Sequence, residues 1–339
     1  MKRNRIDLSD IADWKNLQSA FLKAARGKHT RPTVASFLSH PHNRLLQLQS
    51  DILKAKVPYG DYHAFVIHDP KRRTIHAACF ADRVLHHAIM NLAEPVFEQA
   101  LVDFTYACRP RKGVHRAIKQ VQRNLQQFPW YVQVDIKHYF PAVDHIRLFN
   151  LLHKRFKGPA FLNLLERIVD SYQASPGKGL PIGSLTSQHF ANYYLDGADR
   201  FLLNHSAVCA QIRYMDDIVW WCKDKTLALQ VLFEFNEYIN KICLLRLKPS
   251  IRVNKSQHGI TYCGFRILPG IVRLTKRKQR RYRLLRQQYE SAWQHNEIDD
   301  LALQSAYDSI LAATLPAQSK TWRQRDLQLN PALYDNTNG

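Results

Sequence analysis

Gln211-Ile212-Arg213-Tyr214-Met215-Asp216-Asp217-Ile218-Val219-Trp220-Trp221 sets two adjacent aspartates in the middle of a largely apolar run. Two short β-prone runs flank an acidic pair, so the segment reads as a tight hairpin with Asp216-Asp217 at its turn. Upstream, Trp130 to Ile136 reads as a buried strand that ends in Asp135. If these strands are neighbours in one sheet, the three carboxylates converge at one edge. Such oxygen ligands suit magnesium, which usually completes its octahedral shell from water and substrate phosphates. Two ions of that kind lower the pKa of an attacking hydroxyl and neutralise a departing pyrophosphate. An isolated Asp-Asp pair is more often only a turn, a place where Asp is common.

The 339 residues are 45% apolar, enough for one large domain or two to three packed subdomains. Lys and Arg number 49 against 28 Asp and Glu, a net charge of +21 and a pI near 9.8. That excess favours a polyanionic partner. A basic solubility surface and a patch for anionic lipid fit the charge equally well. Cys79, Cys108, Cys209, Cys222, Cys243 and Cys263 form no C-x-x-C pair and read as reduced, mostly buried thiols. The 16 histidines show no H-E-x-x-H spacing and read as scattered imidazoles. The first residues form no apolar leader, and no apolar run approaches the ~20 residues a membrane span needs, so a cytoplasmic protein with no membrane contact is expected.

Helical spacing covers residues 10 to 55, broken at Lys28-His29-Thr30-Arg31-Pro32. A hairpin with a basic tip is expected between Tyr59 and Ile75, turning at Asp69-Pro70. A helix over 81 to 100 has Val84, Leu85, Ala88, Ile89 and Leu92 on its apolar face and is expected to end near Glu94-Pro95. Another helix is expected from about Ser187 to Leu203. Beyond Gly270 the chain turns strongly basic, then helical to about Leu315, and the last dozen residues read as frayed.

Tyr214-Met215-Asp216-Asp217, taken with Val134-Asp135-Ile136-Lys137-His138-Tyr139-Phe140, resembles the reverse transcriptases. The resemblance implies that Asp135, Ile136, Asp216 and Asp217 form a site for two Mg2+, with Mn2+ an alternative. It makes Asp135 and Asp216 ligands, Asp217 their support, and Phe140 the gate against a ribose 2′-hydroxyl. Gly179-Leu180-Pro181-Ile182-Gly183-Ser184-Leu185-Thr186-Ser187-Gln188 looks like the motif lining the templating base pair, with Ser187 expected to cap the following helix. Its Ile182-Gly183 and Ser187-Gln188 stand where most of the family carry Gln-Gly and Ser-Pro. This form resembles the reverse transcriptases of diversity-generating retroelements, which copy template adenines with errors and work with a small basic accessory variability protein. In physical terms, an isoleucine in place of glutamine removes a polar contact that helps align the incoming nucleotide.

Further stretches are similar to the same family. Lys71 and Arg73 fall in a fingers hairpin, placed for the triphosphate. Phe104-Thr105-Tyr106-Ala107-Cys108-Arg109-Pro110-Arg111-Lys112-Gly113 resembles a second fingers motif, whose Arg109 and Lys112 are candidate nucleic-acid contacts. Lys255, in Asn254-Lys255-Ser256, looks like the palm lysine, a candidate proton donor to pyrophosphate. Tyr262-Cys263-Gly264-Phe265 looks like the primer grip. Lys276, Arg277, Arg280 and Arg281 are candidate backbone contacts.

The resemblance implies an α+β right-hand polymerase fold: an N-terminal helical extension over 1–58, fingers over 59–129, a palm over 130–270 with part of the fingers, and a short basic helical thumb and tail over 271–339. It implies a bacterial or phage-encoded enzyme acting on an RNA template, a DNA or RNA primer and dNTPs. Two other readings remain: a defence or group II intron-like reverse transcriptase without adenine mutagenesis, and a non-catalytic RNA-binding scaffold. Intact carboxylates speak against the scaffold, since negative charge at a phosphate site repels RNA unless a cation is bound.

Overall fold

A four-stranded antiparallel sheet carries the centre of the molecule, in the order Ala210–Tyr214, Asp217–Cys222, Trp130–Asp135, Arg252–Lys255. The structure is a computed structural model that describes residues 3–29, 31–68 and 72–331. Val132, Val134, Ile218, Trp220 and Cys222 point from the sheet into the main core, whereas Tyr131, Ile212, Val219 and Trp221 point into a second, smaller core on the opposite face. Both faces are therefore covered. That is why Ile218-Val219-Trp220-Trp221-Cys222 is a continuous apolar run, not an alternating one.

The main core is closed by N-terminal helices (Trp14–Ala25, Pro32–Leu38, Pro41–Leu53) and by the long helix Phe80–Ala100. The expected stop at Glu94-Pro95 is not observed: the helix runs through Pro95 to Ala100. Phe97 and Ala100, both buried, continue its apolar face, and Phe97 packs against Phe156, Phe190 and Tyr193. Burying a phenylalanine there is worth about 1.5–3 kcal/mol, comparable to the cost of an interior proline. The expected helix from Ser187 to Leu203 is instead two, Leu185–Tyr194 and Asp196–Asn204, broken at Leu195. Ser184, not Ser187, is the N-cap residue, and Ser187 lies buried inside the first turn.

The second core lies under a three-stranded sheet, Ile260–Tyr262, Phe265–Ile267 and Val272–Leu274, and the amphipathic helix Val114–Gln127. From there the chain enters three helices, Lys276–Gln294, Asp300–Ala312 and Lys320–Leu329; the last was not expected from the sequence. These helices are tied together by Arg283 pairing with the buried Asp326, by the Tyr307 hydroxyl donating to Glu290, and by Arg286 donating to the Asn330 carbonyl at 2.6 Å; Arg286 and Glu290, fully buried on one helix, also pair at 3.2 Å. Polar residues bonded inside the bundle mask the helical period that apolar residues alone would reveal. The hairpin Tyr62–His68/Arg72–Ala78 projects separately. Lys71, with the expected turn residues Asp69 and Pro70, lies outside the described residues, as does the tail from 332 onward. Among the described residues, no helix is long and apolar enough to cross a membrane.

Candidate active site

The hairpin turn is Met215-Asp216, with Tyr214 and Asp217 paired across it, so Asp217 opens a strand and does not sit in the turn. Met215 takes a left-handed φ of 58°, a conformation that costs a non-glycine residue free energy. The fully buried Arg213 holds it there. Its Nη1 donates to the Met215 carbonyl at 3.0 Å and to Asn192 Oδ1 at 2.9 Å, while Nε and Nη2 clamp Asp199 at 2.7 and 2.6 Å. Sequence reading missed this arginine, because its partners Asn192 and Asp199 lie on two different helices.

The register then brings the carboxylates together. Asp135 is the direct partner of Asp217 across the central strands, and the Ile136 N–H donates to the Asp216 carbonyl at 3.3 Å. Burial, followed by the charge of Asp135, pushes the Asp216 carboxyl up to about 6. Burial pushes Asp217 up to about 7, although Gln133 Nε2 donates to its Oδ1 at 3.0 Å. The fold thus gathers negative charge in a partly desolvated place, the condition that a divalent cation relieves. Among the described residues, no three His, Cys, Asp or Glu side chains form a ready-made metal cage. A site of Asp135 and Asp216 oxygens suits magnesium that takes its remaining ligands from backbone, water and phosphate.

Lys255 is not part of this cluster. It pairs with Trp130, at the opposite end of the central strand from Asp135, and its Nζ lies 5.9 Å from the Trp130 ring centre. Five residues at about 3.3 Å each separate the two ends by about 17 Å. The lysine beside the carboxylates is Lys248, which forms an ion pair with Asp135 Oδ1 and donates its backbone N–H to the Asp135 carbonyl at 2.8 Å. The alternation in Leu245-Arg246-Leu247-Lys248 was its one sequence signal, a run too short to read as a strand.

The remaining site residues surround this edge unequally. The Ile182 carbonyl accepts the His76 N–H at 3.0 Å, which seats the 180–184 loop on the projecting hairpin. Gly183, at φ +111°, lies so close to Ile75 that an added Cβ would stand 2.8 Å from its Cγ2. Phe140, half-buried, packs against Tyr139 and joins the same loop, its carbonyl accepting the Leu180 N–H at 2.9 Å. Cys108 Sγ reaches Gln188 Oε1 at 3.5 Å. Arg73 is exposed, opposite Ile67 in the hairpin.

Cys263 and Gly264, both at positive φ, make the two-residue turn between Tyr262 and Phe265. The Tyr262 hydroxyl donates to the Asp217 carbonyl at 3.2 Å, and Thr275 Oγ1 donates to the Gly264 carbonyl at 2.9 Å, so this turn links the carboxylates to the basic helix. A cleft of about 860 Å3 opens beside it, lined by His68, Cys263, Arg277, Arg280 and Arg281. Lys276 is exposed on the same helix.

Arg109, expected as a nucleic-acid contact, is instead an internal clamp, whereas Lys112 sits in a surface ion pair with the exposed Asp103. The Arg109 side chain is only 6% exposed; it pairs with Glu98 at 2.9 Å and donates to the carbonyls of Val102 and Thr105. Lys112 Nζ pairs with Asp103 Oδ1 at 2.5 Å and lies over the Tyr106 ring. The loop that carries them needs these donors to satisfy its own carbonyls.

The family model described as reverse transcriptase (RNA-dependent DNA polymerase) matches residues 67–267. A group II intron-encoded protein, LtrA, of Lactococcus lactis subsp. cremoris is 27% identical over 139 residues, covering 39% of this chain and 23% of its own length. Protein YkfC of Escherichia coli strain K12 is 24% identical over 208 residues, covering 56% of this chain and 54% of its own. The matched part of this chain therefore spans between 23% and 54% of the length of these relatives. A structure of apo telomerase from Candida Tropicalis, truncated from the C-terminal domain, matches at 12% identity and a TM-score of 0.47, over 70% of this chain and 60% of that one. The matched segment runs from the projecting hairpin through all three aspartates to the strand after the Tyr262–Phe265 turn, and with it the chain belongs to the reverse transcriptase (RNA-dependent DNA polymerase) family.

Proposed function

We propose that this chain is an RNA-directed DNA polymerase of group II intron-like type, which extends the 3′-hydroxyl of a DNA or RNA primer along an RNA template with dNTPs. The observation that carries this reading is the register of Asp135 against Asp217, with Asp216 on the adjoining turn, beside a cleft walled by a basic helix. Asp135 and Asp216, with the Ile136 carbonyl, are the groups to hold two Mg2+ or Mn2+. When bound, these ions acidify the primer hydroxyl and neutralise the leaving pyrophosphate. Asp217 keeps the local field negative while its own oxygen is held by Gln133. Arg213 fixes the turn so that Asp216 needs no reorganisation during reaction. Arg73, with Lys71, meets the triphosphate, Phe140 excludes the 2′-hydroxyl, and the Tyr262–Phe265 turn supports the primer end. Arg277, Arg280, Arg281 and Lys276 follow the backbone by phosphate contacts. The test is incorporation by the full chain on a defined RNA template: dNTPs are used and rNTPs rejected, and Phe140→Ala admits rNTPs. Nucleic-acid binding without incorporation favours the scaffold reading.

A finer reading is favoured by one feature. Ile182-Gly183 and Ser187-Gln188 replace the commoner Gln-Gly and Ser-Pro, and the loop that carries Ile182-Gly183 is seated on the hairpin of Arg73, with Ser187-Gln188 in the helix that follows. This supports a polymerase of the diversity-generating retroelement type, error-prone at template adenines and working with a template-repeat RNA and a small basic accessory variability protein. Sequencing the products decides it, since errors spread evenly over the four template bases leave only the defence or intron-like reading.

A further inference from the structure

The segment Arg246-Leu247-Lys248, just before Pro249, is built onto the exit of the central strand. The Lys137 N–H donates to the Arg246 carbonyl at 2.8 Å, Leu247 bridges Ile136, and the Lys248 N–H donates to the Asp135 carbonyl at 2.8 Å. This pairing fixes the Lys248 backbone beside Asp135. The Lys248 ammonium then closes an ion pair on Asp135 Oδ1, with the two side chains 30% and 36% exposed. Asp216 feels the same cation, which pulls its carboxyl down while burial and Asp135 push it up.

A carboxylate oxygen that accepts an ammonium at contact distance has little room for a divalent ion, and the two cations repel strongly at a few ångströms. The choice of lysine is consistent with exchange. Its ammonium is a point charge on a flexible four-carbon stem, free to swing away, whereas an arginine fork grips a carboxylate in two places.

We propose that Lys248 is a built-in counter-ion of the carboxylate site, which competes with the divalent metal for Asp135 and so sets the metal affinity. The inference rests on the reading of Asp135 and Asp216 as metal ligands. Its role differs from that of the pyrophosphate-protonating lysine expected at Lys255, because it acts on the metal equilibrium before any nucleotide is bound.

The experiment is Mn2+ binding to the full chain, followed by electron paramagnetic resonance of the free ion, for wild type, Lys248→Met, Lys248→Arg and Asp135→Asn. Thermal unfolding is recorded with EDTA and with saturating Mn2+. Lys248→Met should bind Mn2+ about tenfold more tightly, the scale on which neighbouring groups change metal affinity. It should unfold at lower temperature than wild type in EDTA, with the gap closing in Mn2+. Lys248→Arg should bind no more tightly than wild type. Unchanged or weaker Mn2+ binding by a folded Lys248→Met overturns the inference, even while Asp135→Asn abolishes binding. Should wild type bind no Mn2+ that Asp135→Asn removes, the metal-site reading itself fails and takes this inference with it.

Discussion

Asp135 and Asp217 face each other as direct partners across the two central strands, and Asp216 adjoins Asp217 on the turn. A strand reverses its faces at every residue, so a one-residue slip in this pairing would turn the carboxylates away from one another. The register is fixed by apolar residues on both faces, including Val134 and Ile218 on one and Tyr131 and Trp221 on the other. The same packing that stabilises the sheet therefore assembles the charge cluster.

Gathering that charge lowers stability in a defined pH window. The folded carboxyls of Asp216 and Asp217 titrate at about 6 and about 7, against an unfolded value near 4. Between about pH 4 and pH 7 the folded chain binds more protons than the unfolded chain, so stability falls as pH rises and levels off above pH 7. In EDTA, Asp217→Asn should remove up to one proton's worth of this slope, about 1.4 kcal/mol per pH unit at most. Urea unfolding across this range checks it; the same slope in both proteins contradicts the burial of Asp217 charge.

Arg213 is expected to be the most costly single side chain around the turn. It carries a buried charge balanced by Asp199 and bonds three further groups, so Arg213→Leu strands Asp199 and frees Met215. Breaking a buried pair from one side costs about 3–5 kcal/mol. Denaturant unfolding should register that loss, and a change under about 1 kcal/mol would show that the turn is held by other contacts.

Two arginines from the same basic composition should behave in opposite ways. Arg109→Ala leaves Glu98 and two carbonyls without their donor and should cost about 1.5–3 kcal/mol of stability. Arg280→Ala, exposed on the cleft, should leave the unfolding midpoint alone and reduce the salt dependence of template–primer binding by about one phosphate contact. Thermal shift and salt-titrated binding separate them; a salt effect from Arg109→Ala without destabilisation would reverse the assignment.

Ile182→Gln tests the source of infidelity. The substitution restores a polar side chain in the loop seated on His76, and the fraction of errors at template adenines should fall several-fold, about the 10-fold scale of one specificity contact. An unchanged spectrum removes Ile182 from the account and leaves polymerisation untouched.

The aspartates were legible in the sequence because each sits in a short local pattern, a strand end or a hairpin. Lys248 was not, because its contact with Asp135 spans 113 residues of chain and depends on strand pairing. Lys255 looked catalytic by its neighbours Asn254 and Ser256, yet the register carries it to the far end of the sheet. Arg109 was misread for a related reason: charge is visible in a sequence, but the largely buried Glu98 that claims it is not. Pro95 failed as a stop signal because the apolar face continues to Phe97 and Ala100 on its far side.

Primer extension on a defined RNA template with Mg2+ and dNTPs, comparing wild type with Asp216→Ala at matched template–primer occupancy, probes the three aspartates themselves. The carboxylate site predicts extension by wild type and a loss of about a thousandfold or more in the variant, with binding retained. Extension by Asp216→Ala at the wild-type rate would contradict it.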